Sequence, residues 1–381
     1  MNVLTTLAIE TSCDDTSIGI VGFDGQTFTV DSLLAYSQVQ DHQKYGGVVP
    51  EFASRLHSEK ILAVLQDIGL EKIKDVDFIS VTTHPGLPGS LVVGKALASF
   101  LAKQFDKPLI EVNHVYGHLF SLFLERNVKD IQFPMVVLTA SGGHNDLYVV
   151  EKHDAGCMMH DESKKNLGSC ILDLASSGKD DKSQMESHIF GGYTITRIGK
   201  TLDDAAGECF DKVARMLGGP YPGGARIAEC ASRSGNIEKL KNGKINDIIK
   251  FKRIFLSKDA YDFSFSGMKS QVSFLLKQLE KKGIALDEQL IYNISYEFQE
   301  AVVEVLVKKL VRAGIQYGAK TIGIAGGVSC NDRLREYLNE YGNVERLKDG
   351  KILRPMKKVY STDNAAMIGV AGILEYVQNN N

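Results

Sequence analysis

The chain has 381 residues, too many for one simple hydrophobic core and enough for two domains of ordinary size. Its 44 basic residues nearly balance 47 acidic ones, and a pI near 6.3 excludes the strongly basic coat of an obligate nucleic-acid-packaging protein, so any RNA contact must come from a local basic stretch or a partner. The six cysteines (Cys13, Cys157, Cys170, Cys209, Cys230 and Cys330) are scattered with no Cys-x-x-Cys pair, which argues against a zinc ribbon or a disulfide framework and fits a reducing compartment. No apolar run reaches the roughly 18 residues of a membrane span, and strand character begins almost at Met1, so the expectation is a soluble cytoplasmic protein without membrane contact.

Residues Val3 to Ile9, Thr16 to Gly22 and Thr27 to Leu34 predict three strands, with Asp24-Gly25 as a hairpin turn between the last two. Helical periodicity runs from Val49 to Ile68, and Asp77 to Thr82 reads as a buried strand. The loop His84-Pro85-Gly86-Leu87-Pro88-Gly89 then leads into a helix from Ser90 to Gln104. A strand-like stretch, Pro108 to Val112, runs into Asn113-His114-Val115-Tyr116-Gly117-His118-Leu119, where Asn113 reads as a helix N-cap. The spacing of His114 and His118 puts both imidazoles on one helix face, within reach of a single divalent cation. One surface and one core histidine on an ordinary helix would give the same spacing. A metalloprotease helix places a carboxylate directly after its first histidine, and Val115 stands there instead.

Up to about residue 132 the pattern is one α/β lobe, and a second follows over 133–360. It starts with strands at Phe133 to Thr139 and Asn145 to Val150. From about Glu151 to Ser187 the chain is polar and rich in Ser, Lys and Asp, which predicts an exposed insertion. Helices are predicted at Leu202 to Leu217, Leu290 to Ala313 and Asp332 to Glu340, with a strand at Thr321 to Ala325. A last helix, Thr362 to Gln378, is apolar enough to pack against a lobe.

Both halves share one device, a strand running into a hydroxyl- or glycine-rich turn. The first turn is Glu10-Thr11-Ser12-Cys13-Asp14-Asp15-Thr16, whose hydroxyls and amides suit phosphate oxygens and whose carboxylates suit a cation or a water. The second, Thr139-Ala140-Ser141-Gly142-Gly143-His144, has paired glycines that let backbone amides approach an anion. The third, Ala325-Gly326-Gly327-Val328-Ser329-Cys330-Asn331, could cradle a nucleoside and offer the Asn331 amide. Asp204, Glu208 and Asp211 are expected on one helix face, and Tyr221-Pro222-Gly223-Gly224 is a rigid turn suited to closing over a ribose. Each feature alone is also compatible with an ordinary turn or a solvated face; together they suggest a nucleotide held between two lobes.

Read in order, the runs Ala8 to Thr16, Tyr45 to Glu51, Pro85 to Leu91, Ser141 to His144, Asp203 to Lys212, Phe263 to Gly267 and Ser361 to Met367 resemble the TsaD family, the tRNA threonylcarbamoyltransferases once called glycoproteases. The resemblance spans nearly the whole chain. It implies a two-lobed α/β fold like that of actin, sugar kinases and heat-shock chaperone ATPases. It assigns one metal ion, Fe or Zn, to His114, His118 and Asp363, with Asp363 facing the cleft after Ser361 as helix cap. It maps ligand binding onto Thr139, Ala140, Ser141, Gly142, Gly143, Asp211, Gly224 and Asn331. The family more often has aliphatic residues at Thr139 and Ala140, a departure that backbone binding tolerates. The insertion near 151–187 is longer than the family's usual connector.

The implied reaction transfers a threonylcarbamoyl group from threonylcarbamoyl-adenylate to the exocyclic amine of the adenosine beside the anticodon, in tRNAs reading codons that begin with adenine, and releases AMP. His144, Glu10 and Asp14 are the candidates for proton transfer, while Cys13 is either a thiol nucleophile or structural. A TsaB-like paralogue and a TsaE-like ATPase are the implied partners. Basic stretches at Lys239 to Arg253 and Arg346 to Lys358 are candidate tRNA contacts. The turns by themselves equally suit an actin-like or sugar-kinase-like ATPase, or a nucleotide-binding scaffold without catalysis.

Overall fold

A computed structural model describes residues 3–152, 186–234, 249–257, 260–344 and 350–380. The first lobe is built on β1 (Leu4–Glu10), β2 (Asp15–Phe23), β3 (Phe28–Ser37), β4 (Phe78–His84) and β5 (Leu109–Asn113), in the order β3-β2-β1-β4-β5. Strands β1 to β3 form an antiparallel meander, and β4 and β5 add in parallel beside β1. The second sheet holds β6 (Met135–Ala140), β7 (Asn145–Lys152), β8 (Glu186–Phe190), β9 (Tyr193–Gly199), β10 (Thr321–Ala325) and β11 (Lys351–Leu353), ordered β11-β10-β6-β7-β9-β8. Its β6, β7 and β9 repeat the meander, and β10 and β11 repeat the parallel pair. The shared device seen in the sequence is thus a shared sheet topology.

Strands covered on both faces read as continuous apolar runs, and β1, β6 and β10 are buried along most or all of their length. On the first sheet, α1 (Val39–Gln43) leads to α2 (Pro50–Ile68), and α3 (Leu70–Asp75) precedes β4. Helix α2 has Pro50 at its first position and stops at Gly69, whose φ of 97° favours glycine. With α4 (Pro88–Gln104) it buries one face of the sheet through Ile61, Leu65, Leu97 and Leu101. The other face is covered by α5 (His114–Phe120) and by the C-terminal helix. In the second lobe lie α6 (Ala206–Met216), α7 (Gly223–Ser232), α8 (Ser266–Lys281), α9 (Glu288–Gln316) and α10 (Asp332–Val344), and then α11 (Ala365–Asn379) returns to the first sheet. Glycine permits that return: a Cβ on Gly369 would lie 2.5 Å from Val21, and one on Gly372 would collide with Ser80.

Several expected boundaries move, and the shifts at Leu202, at Thr362 and at residues 151–187 each have a hydrogen-bonding reason. The helix expected from Leu202 begins at Ala206, because residues 200–203 pair instead with 263–266: Leu202 N donates to the Phe263 carbonyl at 2.8 Å, and Phe263 N to that of Lys200 at 2.8 Å. Asp203 completes the tie, accepting from Phe265 N (2.9 Å), Ser266 N (3.2 Å), Ser264 Oγ (2.5 Å) and Ser266 Oγ (2.6 Å). The last helix begins at Ala365 rather than Thr362, capped by Asn364, whose side chain accepts from Met367 N at 3.1 Å; Ser361 ends a 3-10 turn over Lys358–Tyr360. At the two ends of the expected insertion, β7 reaches Lys152 and β8 takes residues 186 and 187 by pairing with β9. Residues 153–185 of that expectation lie outside the described residues. Helices α7 and α8 and the strands β8, β9 and β11 are additions that the sequence pattern does not predict.

Candidate metal centre and nucleotide cleft

Helix α5 starts where the sequence places it. The Asn113 side chain accepts from Val115 N at 2.8 Å and Tyr116 N at 3.4 Å, so His114 emerges at the first turn and His118 one turn later on the same face. Gly117 lets α11 come close, for a Cβ there would sit 2.7 Å from the Ile368 Cδ1. This approach delivers Asp363, 245 residues beyond His118, to the two imidazoles. His118 Nε2 lies 3.1 Å and His114 Nε2 3.5 Å from the same Asp363 Oδ1, with the rings 4.7 Å apart and nearly perpendicular. One ligand atom from each residue fits within a 4.8 Å span.

Behind His114 stands Glu10, fully buried at the end of β1. Its Oε2 is 3.1 Å from His114 Nδ1 and accepts from Thr82 Oγ1, while Oε1 accepts from Ser12 N at 2.5 Å. A carboxylate on the outer nitrogen fixes the ring and keeps the inner nitrogen's lone pair for a cation. Burial disfavours charge on His114, yet Glu10 and Asp363 outweigh it and lift its pKa to about 9. Burial likewise opposes ionisation of Asp363, but the imidazoles hold its pKa down at about 2. For His118 burial wins, and its pKa falls. Two imidazole nitrogens and one carboxylate oxygen converging in this way fit a divalent ion, with room for exogenous ligands.

The first turn is braced by the motif at 85–91. Leu87 N donates to the Ser12 carbonyl at 2.7 Å, Thr11 Oγ1 donates to that of Ser90 at 2.9 Å, and only a glycine at position 86 clears Ser12, since a Cβ would lie 2.7 Å from its oxygen. Burial, then the neighbouring Asp14 charge, raises the Asp15 pKa to about 7, and burial raises that of Asp14. Burial and Asp14 also push the Cys13 thiol far up, which keeps it protonated and makes it a poor nucleophile.

The second and third turns meet. Gly326, at φ 84°, lies against Ala140, where a Cβ would be 2.5 Å from the carbonyl oxygen, and Gly207 at the start of α6 lies equally close to the Ser141 carbonyl. Side chains at Thr139 and Ala140 are buried in β6, leaving Gly142, Gly143 and His144 exposed. A Cβ at Gly142, Gly143, Gly224 or Gly327 would meet no protein atom within 4 Å, so these turns border open space. His144 is close enough to Asp363 for its charge to help lower the carboxyl pKa. Asp211 accepts from Gly223 N at 2.6 Å, tying α6 to α7 beside Gly224. Asn331 caps α10 through Leu334 N (3.0 Å) and donates to Gln299 at 2.9 Å; its amide retains one further donor and one further lone pair.

One expectation is corrected. Asp204 lies before α6 rather than on it, and it and Glu208 both pair with Lys212, at 2.7 and 2.8 Å, so the acidic face is largely neutralised and Asp211 stands apart. In the two basic stretches, Arg253 is paired with Glu297 and Glu304, while Lys357, paired with Glu125, and Lys358, paired with Asp332, remain exposed. Residues 239–248 and 346–349 of those stretches lie outside the described residues. Spacing had no means of revealing that Glu10, 104 residues from His114, would orient it; the buried acid closing an apolar strand was the one available signal.

Fold and site define a two-lobed α/β protein built on two mixed sheets of related topology, with a candidate metal triad at its cleft. A family model described as TsaD, tRNA N6-adenosine threonylcarbamoyltransferase, matches residues 30–178 and 183–370. The tRNA N6-adenosine threonylcarbamoyltransferase of Staphylococcus aureus (strain MRSA252) is 36% identical over 375 residues, covering 98% of this chain and 92% of the relative. That of Kosmotoga olearia is 39% identical over 370 residues, covering 96% and 92%. Among solved structures, T. kodakarensis HypF shares the fold at a TM-score of 0.52 with 14% identity, over 99% of this chain and 48% of that one. The chain belongs to the TsaD family and is a tRNA N6-adenosine threonylcarbamoyltransferase, an acyltransferase acting on tRNA.

Proposed function

We propose that His114, His118 and Asp363 hold one Fe or Zn ion and that the glycine turns hold threonylcarbamoyl-adenylate beside it. The observation that carries this is the convergence of both Nε2 atoms on one Asp363 oxygen, next to turns that border open space. Mixed imidazole and carboxylate donors suit either metal. When bound, the ion supplies Lewis acidity to an oxygen of the donor. Amides of Gly142 and Gly143, on a turn that Ser141 closes by donating its own N–H to the His144 carbonyl at 2.8 Å, orient the phosphate, Asp211 and Gly224 receive the ribose, and Asn331 uses its remaining amide capacity on the nucleoside. The backbone at Thr139 and Ala140 forms the floor of that slot.

In the transfer, the exocyclic amine of the tRNA adenosine attacks the carbamoyl carbon, the carbon–oxygen bond to the phosphate breaks, and AMP leaves. The amine proton must go to a base. His144 is exposed and lies near Asp363, so it is the leading candidate; Asp14 is the second. Glu10 is buried behind His114 and serves to position it.

The cleft of a sugar-kinase-like ATPase would need no histidine triad, so metal content separates the two readings. We infer as partners a TsaB-like paralogue and a TsaE-like ATPase, a cytoplasmic setting, and lobes dividing near residue 132. No helix among the described residues is long and apolar enough to cross a membrane. The test is transfer to unmodified tRNA from threonylcarbamoyl-adenylate, with the candidate partners present: wild type forms the modified nucleoside, and the same protein with His114→Ala does not. Equal activity in the two would refute the metal assignment.

A further inference from the structure

Away from the metal triad and from the apolar core that the lobes share, they also touch through one polar contact of Arg215. Residues 44–49 of the first lobe join α1 to α2, and in the second lobe Arg215 stands one turn beyond Asp211 on α6. The Arg215 guanidinium donates through Nη2 to the Gly46 carbonyl. It lies directly against the bare Cα, 2.7 Å from where a Gly46 Cβ would stand, and the φ of 72° at Gly46 is a backbone conformation that calls for glycine. Arg215 is also near enough to Asp211 to offset part of the rise that burial imposes on that carboxyl.

The loop is held from behind by a buried relay. Tyr45 N donates to the His42 carbonyl at 2.9 Å and Gly46 N to that of Gln43 at 3.0 Å. Val49 N donates to His42 Nδ1 at 3.3 Å, which makes His42 the tautomer protonated on Nε2; that N–H then donates to Gln38 Oε1 at 3.1 Å. Gln38 N donates to the Asp14 carbonyl at 3.0 Å. Gln38 and His42 are fully buried. A continuous hydrogen-bonded route therefore runs from the Asp14 turn, through Gln38, His42 and the Gly46 loop, to the helix that carries Asp211.

We propose that Arg215 is a positioning residue: by clasping the Gly46 loop it sets the two lobes in register around the acyl-adenylate, so that the first turn and Asp211 engage one ligand together. It acts through the loop and need not touch the transferred group. This rests on the reading of the cleft as the adenylate site. The clasp predicts a loss concentrated in nucleotide affinity, because it holds the two sides of the cleft in register before a ligand arrives, and without it binding must supply that ordering.

The test compares wild type, Arg215→Lys and Arg215→Met, each as the full chain, for AMP binding by calorimetry, for the KM and kcat of transfer from threonylcarbamoyl-adenylate, and for Tm and metal content. Arg215→Met is expected to weaken AMP binding and raise the donor KM about tenfold or more, with kcat within about threefold of wild type and with Tm and metal content unchanged. Arg215→Lys, which can still donate to the Gly46 carbonyl, recovers most of the loss. Unchanged AMP affinity and donor KM in Arg215→Met would overturn the proposal, as would a loss that tracks a fall in Tm and is not recovered by lysine. Failure of the wild type itself to bind AMP would overturn the adenylate reading and the clasp with it, whereas wild-type binding with an indifferent Arg215→Met removes the clasp alone.

Discussion

His114 is oriented from both sides, by Glu10 at Nδ1 and by Asp363 at Nε2. Replacing Glu10 by glutamine keeps the shape but removes the charge, and outer carboxylates of this kind typically matter about 10–100-fold for metal affinity. Glu10→Gln should therefore bind the ion about 10–100-fold more weakly in a chelator competition while Asp14→Asn leaves affinity near wild type; equal effects would remove the distinction drawn between the two acids. Proton linkage gives a second check. In the metal-free protein the folded pKa of His114, about 9, exceeds the ordinary value of 6.5, so the proton's stabilisation is fully present below about 6.5 and is lost as pH rises through about 9. A cation must expel that proton, so metal affinity should rise with pH, by up to about tenfold per unit between about 7 and 9, and then level off. Calorimetry in buffers of different ionisation enthalpy should register about one proton released per ion at about pH 7.5; zero release would contradict the linkage.

Elements carry a different part of the design. Asp203 caps α8 from 61 to 63 residues away, and Asp203→Ala should destabilise the protein by about 0.5–2 kcal/mol, the usual cost of a lost cap, measured by denaturant unfolding. Burial opposes its ionisation, but hydrogen bonds from Ser264, Ser266 and Phe265 hold its pKa below the ordinary value, so its contribution is present above about 4 and lost as pH falls further. The acid limb of stability should flatten in Asp203→Asn. Helix α11 depends on Gly369, and Gly369→Val should cost about 1–3 kcal/mol or more by overpacking against Val21. Because Asp363 precedes this helix, the same variant should lose metal, unlike Asp203→Ala.

These elements also show how far the sequence was legible. Periodicity and caps place β1, β2, α2, α5 and β10 within a residue or two, because apolar runs, the helical period over 49–68 and the local signal of Asn113 decide them. The start of α6 escapes them because Asp203 is committed to a partner about 60 residues away, and α8 escapes them because Asp203, not a local residue, caps it. The pairing of His114 and His118 with Asp363 came from family resemblance, since no local rule spans 245 residues. Arg215 was invisible, being defined only by the meeting of the lobes, and so was the Gln38–His42 relay, whose role depends on bonds to Asp14 and Val49 that no helical spacing marks.

At the scale of the molecule, one sheet topology used twice leaves a cleft between two similar lobes, and α11 carries the chain back across it. The duplication places strand-end turns on both sides, and the return helix contributes the third metal ligand. An ATPase could share every feature of the cleft except that triad. The central claim is therefore tested most directly by transfer of the threonylcarbamoyl group from its adenylate to unmodified tRNA, with candidate partners present and metal measured on the same samples of wild type, His118→Ala and Asp363→Ala. Wild type should carry about one Fe or Zn per chain and form the modified nucleoside, and both variants should lose the metal and at least about a hundredfold of the activity while remaining folded. A metal-free wild type that transfers as well as a metal-loaded one, or variants that keep full activity, would contradict it.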